Sequence, residues 1–199
     1  EWSEIYTLFR LLGEGKVHAG DANMNKLNLY YPILNIIREE SKKYEYKPNV
    51  DQNIVVVNEN GIEYTRISMD KFIQESASLL DSIKSAKKSA FEIPASETFM
   101  STIGCTKLKA PSKDKADIRL VIHNFNNGTI SELGYSIKSR LGAPSTLINS
   151  NKNGTNFIYE IEGITSEQAE KCNNLDKFKN KFAFLQSIPE DADVKYKLQ

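Results

Sequence analysis

Lys115-Ala116-Asp117-Ile118-Arg119-Leu120-Val121-Ile122-His123 and, further on, Leu133-Gly134-Tyr135-Ser136-Ile137-Lys138-Ser139 are the segments from which the rest of the chain is read. Both are dense in Ile, Val, Leu and Tyr, and Asn126-Asn127-Gly128 between them is a strong turn signal, so two neighbouring strands are expected. Side chains alternate faces along a strand. Asp117, Arg119, Val121 and His123 then share one face, and Ile118, Leu120 and Ile122 the other. On the second strand Ser136 and Lys138 point one way, Tyr135 and Ile137 the other. An acid early in one strand thus meets a lysine on the next, with a serine two positions before it. On pattern alone this also describes an exposed ion pair, which contributes little.

Composition narrows the field. A chain of 199 residues supports one domain with a sizeable core. Its 40% hydrophobic and 26% charged residues are ordinary for a globular protein. Formal net charge is zero, which argues against a protein that coats nucleic acid through an overall basic field. Cys105 and Cys172 share no CxxC spacing, and two reduced thiols in a cytoplasmic protein are the expectation. No apolar run approaches the roughly 18 residues of a membrane span, and no signal peptide opens the sequence. His18 and His123 fit no HxxxH or HExxH spacing, and no GxxxxGK[ST] loop is present, so histidine-zinc and ATP-driven chemistry lack support.

Upstream, Trp2, Ile5, Leu8, Phe9 and Leu12 recur at helical spacing, with Gly13 and Gly15 as stop signals. Glu1 and Glu4 lie along one side of that helix. Asp21 to Asn28 reads as loop or short helix. Pro32 and the Tyr/Ile enrichment favour a strand through 29–40. Tyr44–Tyr46, Asn53–Asn58 and Gly61–Ile67 continue as strands, with Glu59-Asn60-Gly61 as a hairpin turn. Residues 29–67 form an antiparallel meander, read as an accessory sheet within a single domain spanning 1–199. Ser68 is placed to cap a helix over Met69–Lys88, and Pro94 to begin another that stops at Gly104. Downstream, Thr155–Glu162 reads as a strand. Thr165-Ser166-Glu167-Gln168 is a capping box for a helix to about Cys172.

The wording around the Asp–Lys pair carries more. Thr106-Lys107-Leu108-Lys109-Ala110-Pro111-Ser112, Lys115-Ala116-Asp117-Ile118, Leu133-Gly134-Tyr135-Ser136-Ile137-Lys138-Ser139, Ser145-Thr146-Leu147 and Thr155-Asn156-Phe157-Ile158-Tyr159 recur in the order of the HpaII-type restriction endonucleases, which this chain resembles. Those enzymes belong to the PD-(D/E)xK nuclease superfamily. The resemblance runs through most of the chain and is strongest over residues 99–162. It implies an α/β (α+β) fold with a mixed central sheet, holding the 116–124, 133–139 and 156–162 strands, flanked by helices. It also implies Mg²⁺-dependent, site-specific hydrolysis of double-stranded DNA, and a two-fold homodimer suits a palindromic site. The sequence starts at Glu1 with no methionine, so a few residues are expected before it, and HpaII-type chains run well beyond this length, so a C-terminal portion is expected after Gln199. Within a nuclease, acidic metal ligands and basic phosphate contacts offset each other, which accommodates zero net charge.

Phosphodiester hydrolysis asks for positive charge at the phosphoryl oxygens, an activated water and a stabilised leaving oxygen. Mg²⁺ takes oxygen ligands and keeps several waters, so one or two carboxylates suffice. By resemblance Asp117 is the first ligand and Lys138 orients or deprotonates the water. Ser136 occupies the position where the superfamily pattern has Glu or Asp, so a second carboxylate must come from elsewhere. Glu4 ranks first for that role, Glu132 second, with Glu160 and Glu162 behind and Glu1 below Glu4. The loop after Lys138 supplies Ser139, Arg140, Ser145, Thr146 and Asn149 as candidate DNA contacts, with Asn156 and Lys107 beyond it. A degenerate nuclease that only binds DNA, and an α/β domain unrelated to nucleic acid, are the other readings.

Overall fold

A computed structural model describes residues 1–86, 91–110, 116–139, 141, 159–188 and 195–198. Its contacts divide the chain into two compact units, Glu1–Ser145 and Thr146–Gln199, where length alone implies one domain.

In the first unit, α1 (Trp2–Glu14) buries Trp2, Ile5, Leu8, Phe9 and Leu12, the stripe its spacing predicts. Gly15, at φ 65°, ends it, and its N–H donates to the Leu11 carbonyl at 2.8 Å. Then come β1 (Lys16–Gly20), β2 (Lys26–Glu39), β3 (Lys43–Asn49), β4 (Ile54–Glu59) and β5 (Ile62–Ser68). α2 (Met69–Ser85) starts as expected, with Ser68 Oγ accepting from the Lys71 N–H at 3.2 Å, and ends earlier than its polar tail suggests. α3 (Pro94–Thr102) precedes β6 (Ile118–Asn124) and β7 (Thr129–Tyr135).

The strands form one seven-stranded sheet in the order β5-β4-β3-β2-β6-β7, with β1 paired to the first half of β2. Each of these pairings is antiparallel. The 29–67 meander is therefore continuous with the strands of the Asp–Lys pair, joined to them through β2. Asn60 and Gly61, both at positive φ, make the two-residue β4–β5 turn. Asp21–Asn25 is the turn of a β1–β2 hairpin; β1 carries no pattern that marks it as a strand in the sequence.

Register explains the layering. Leu120, Ile36, Tyr46 and Val57 sit side by side across four strands, all essentially solvent-free. Helices α1–α3 cover this face, and Phe9, Phe72 and Phe99 meet edge-on between them at 5.0–6.2 Å. The neighbouring row, Arg119, Ile37, Glu45 and Asn58, faces the other way. Ile118, Leu120 and Ile122 are buried while Asp117, Arg119, Val121 and His123 are half-buried, the split that alternation predicts.

Arg38 and Glu40 fasten the segment leading into β6. Both side chains are nearly solvent-free, 6% and 2% exposed, with Arg38 Nε 2.7 Å from Glu40 Oε1. Glu40 also accepts from the Thr106 N–H at 3.1 Å, the Lys107 N–H at 3.3 Å and the Thr106 hydroxyl. Arg38 donates to the Lys107 carbonyl. Burial works to raise the Glu40 pKa, but the Thr106 and Arg38 hydrogen bonds and the Arg38 charge outweigh it and hold it below the ordinary range. Gly104 turns the chain into this clamp at φ 74°, and a Cβ there would lie 2.2 Å from the Tyr44 ring.

The second unit holds β8 (Tyr159–Glu162) and β9 (Lys195–Leu198), which pair antiparallel, with α4 (Ser166–Asn173) and α5 (Phe178–Gln186). The Thr165–Gln168 capping box forms as expected. The 156–162 strand does not join the central sheet as expected: its described residues pair with β9 in a separate two-stranded sheet. Apolar patterning identifies a strand but does not name its partner.

Two substitutions test this account by urea unfolding followed through the fluorescence of Trp2, the sole tryptophan and a core residue of the first unit. Gly104→Ala combines a left-handed backbone with a ring clash and is expected to cost about 2–4 kcal/mol. Glu40→Ala leaves Arg38 buried without its carboxylate and is expected to cost about 3–5 kcal/mol. Because the folded pKa of Glu40 is depressed, its contribution is present above an ordinary carboxylate pKa and is lost as pH falls through the folded value. The gap between Glu40→Ala and the unmutated chain should therefore narrow below about pH 4.

Candidate active site

Asp117 stands one residue before β6, and its backbone continues the ladder: its N–H donates to the Tyr135 carbonyl at 2.9 Å. Beyond Tyr135 the partner strand loses regular pairing. There the Asp117 carboxylate substitutes for a backbone acceptor, with Oδ2 taking the Ile137 N–H at 2.6 Å. One carboxylate thus holds the start of the segment that carries Ser136, Lys138 and Ser139. Ser136 and Lys138 are exposed and Ser139 half-buried. β7 ends at Tyr135, so the expected strand through Ser139 is shorter than its alternation implies.

α1 delivers Glu4 to the same place. Glu4 and Asp117 line one cleft with Glu39, Arg119 and Ala110. The Glu4 side chain is only 13% exposed, and Oε2 accepts the Ala110 N–H at 3.3 Å. Burial raises its pKa and the nearby Asp117 charge pushes the same way, against the Ala110 hydrogen bond and the Arg38 charge. Two carboxylates from distant parts of the chain are thus close enough to feel each other.

Other candidates fall elsewhere. Glu132 lies opposite Val121 and engages Arg119, which also reaches Glu39 Oε1 at 3.5 Å. Glu1 pairs with Lys109 at 2.9 Å and is exposed. Glu162 belongs to the second unit. The Lys107 backbone sits in the Glu40 clamp while its side chain is exposed. Arg140, Ser145, Thr146, Asn149 and Asn156, and the side chain of Glu160, lie outside the described residues. Glu39 is the cleft residue that sequence patterns do not single out. Its signal is register: Ile37 opposes Arg119, so Glu39, two residues on, shares the face of Asp117.

Both cysteines are free thiols, and burial pushes Cys105 up to about 12, which leaves it inert at neutral pH. Among the described residues no three His, Cys, Asp or Glu side chains gather as a metal cluster. What the cleft offers is an all-oxygen pair, Asp117 and Glu4, the donor type and number that Mg²⁺ accepts when waters and a phosphate complete its shell. Charge buried on Glu4 beside Asp117 is the kind that a cation relieves.

No solved structure matches the chain. Among curated proteins, a type II restriction enzyme, HpaII of Haemophilus parainfluenzae, is 41% identical over 185 residues, covering 91% of this chain and 51% of its own length. The chain therefore spans about half the length of the curated relative it matches. The family model for the HpaII restriction endonuclease matches residues 1–197, almost end to end, and the chain belongs to that family.

Proposed function

We propose that this chain carries the catalytic centre of a Mg²⁺-dependent type II restriction endonuclease that cuts double-stranded DNA at a specific short site. The observation that carries the reading is the family match over residues 1–197. The Asp117–Glu4 cleft, at the segment bearing Lys138, supports it.

In this reading Asp117 and Glu4 hold the ion, which supplies positive charge opposite the phosphoryl oxygens when bound. Asp117 does so from a fixed position, because its second duty is to hold the Ile137 N–H. Lys138 extends from the segment thus anchored, where it orients the attacking water or takes its proton and adds positive charge. Ser136 stands in the place of an acidic residue, and Glu4 supplies the missing carboxylate from α1. The displacement is in line and leaves a 5′-phosphate and a 3′-hydroxyl. Ser139, Arg140, Ser145, Thr146, Asn149, Asn156 and Lys107 contact the DNA. Cutting both strands of a palindrome suits a two-fold dimer.

Plasmid cleavage with Mg²⁺ or with EDTA tests the reading. Discrete fragments that require Mg²⁺ are expected, with losses of at least about 10²–10³-fold in Asp117→Ala and Lys138→Ala. DNA binding without cutting in Mg²⁺ would point instead to a degenerate module. Glu4→Gln separates function from packing. A raised folded pKa means the Glu4 contribution to stability declines as pH rises through that value, so at neutral pH the charged carboxylate is a burden. Glu4→Gln should therefore be as stable as the unmutated chain or more so, yet cleave poorly and bind Mg²⁺ weakly by calorimetry. A merely structural Glu4 would give the reverse.

A further inference from the structure

The β1–β2 hairpin projects the sheet beyond β6, and its two faces differ in chemistry. Ile33 opposes Ile122 on the core face. Pro32, one residue earlier, therefore turns to the face shared by His123, Arg119 and Asp117. Tyr30 follows it there, and the pairings Lys16↔Pro32 and His18↔Tyr30 bring two more residues onto that face. Lys16 Nζ lies 4.8 Å from the centre of the Tyr30 ring, and the His18 ring lies 5.7 Å from it. Lys26 stands at the far end, opposite Gly20. Beside the arm, the β6–β7 turn carries Asn124, Phe125 and Asn126, which form a cleft with Asn28 and Tyr30. Tyr30 is 42% exposed and Phe125 61%, while His18 Nε2 is buried with no hydrogen-bond partner among the described residues.

Charge separates this surface from the rest of the sheet. Of the four cations at 42–66, three are spent on neighbours, Lys42 on Glu59 at 2.7 Å, Lys43 on Glu45 at 3.4 Å and Arg66 on Glu63 at 2.8 Å, which leaves Lys47. Neither Lys16 nor Lys26 has a carboxylate partner among the described residues. Asp21 is the sole acid between Lys16 and Tyr31. Its oxygens are taken by the Asn23 and Asn25 N–H groups at 2.9 and 2.7 Å and the Asn25 amide at 2.9 Å. The result is a ribbon of cations, amides and exposed aromatic rings with its only carboxylate turned to its own backbone.

We infer that this face of the β1–β2 arm, with the β6–β7 turn, binds the phosphate backbone of the same duplex several base pairs from the cut, an inference that rests on the nuclease reading above. Asp117, just before β6, and His123 within it are six residue steps apart, about 20 Å along a strand. That distance corresponds to about six nucleotide steps at 3.4 Å each. Lys16 and Lys26 meet phosphates, Asn28, Asn124 and Asn126 donate to backbone oxygens, and Tyr30 and Phe125 lie against the sugars. Duplex DNA is the occupant because Lys16 and Lys26 on the arm lack a carboxylate partner among the described residues, and the arm's face is continuous along β6 with the face bearing Asp117.

Fluorescence anisotropy of the whole chain in EDTA tests this, with duplexes containing the sequence at which plasmid is cut, either short or extended on both sides. Lys16→Ala/Lys26→Ala is expected to bind the long duplex about tenfold more weakly and the short one with much smaller loss. The slope of log K against log salt should fall by about 1.8, at ~0.9 per lost phosphate contact. Lys16→Arg/Lys26→Arg should restore both, and Lys42→Ala/Lys43→Ala should match the unmutated chain. An unchanged slope and affinity in the alanine pair, with cutting intact in the unmutated protein, would overturn the arm contact and leave the nuclease standing. A changed oligomeric mass with an unchanged slope would overturn it in favour of a protein interface. If the unmutated chain neither binds nor cuts, both readings fall.

Discussion

The constraint on which the first unit rests is the use of β2 on both edges. Its second half pairs with β3 on one side and β6 on the other, and Asn35 through Arg38 are buried in succession. A strand in that position has no freedom of register, because a one-residue slip would exchange Ile36 for Ile37 and reverse both neighbours. Arg38 enters the interior as a consequence, and its charge is tolerable only because Glu40 meets it there. That pair then recruits the backbone of Thr106 and Lys107. The path from α3 to β6, and with it the height of Asp117, is set by a carboxylate lying in the sheet's end.

Around the cleft the opposite logic holds. Glu4 is partly desolvated and faces another acid, so its charge works against the fold rather than for it. Arg119 is nearby, but Glu39 and Glu132 both engage it. Natural packing would replace such a glutamate with glutamine or leucine if stability were the only demand. Its position in the first turn of α1 gives it the favourable end of the helix dipole, which partly offsets that cost.

Much of this is legible in the sequence because it rests on local chemistry. Alternation in 117–123 separates the core residues from the Asp117 face, because β6 is a strand with one buried side. The α1 stripe, the Ser68 cap, the Asn60-Gly61 turn and the Thr165 box each follow from residues within a few positions of one another. What escapes depends on residues far apart. Only the β2–β6 register places Glu39 beside Asp117, whereas Glu4 is named by the family resemblance and it is its contact with Ala110, set by the path of α1, that the residues alone do not give. The 156–162 strand is visible, but its neighbour β9 cannot be inferred from its own side chains. The β7 ladder ends early, at Tyr135, because an acidic side chain, Asp117, takes the N–H of Ile137.

Net charge hides the asymmetry that matters most for recognition. Equal totals of 26 basic and 26 acidic residues describe a chain with no field at long range, yet the charges are not evenly partnered. Around β3–β5 three cations are paired with nearby carboxylates, Lys43 and Arg66 within their own strands and Lys42 with Glu59 of β4, at separations of 2.7–3.4 Å. Such pairs contribute little to stability, but they remove cations from a surface where a polyanion would otherwise settle. On the β1–β2 arm the single acid is taken up by its own turn, and Lys16 and Lys26 have no carboxylate partner among the described residues. On the proposed reading, a duplex drawn by no net charge would meet unpaired lysines on the arm and mostly paired charges along β3–β5. The DNA track proposed above therefore runs along β6, with Asp117 at one end and Lys16 beyond the other.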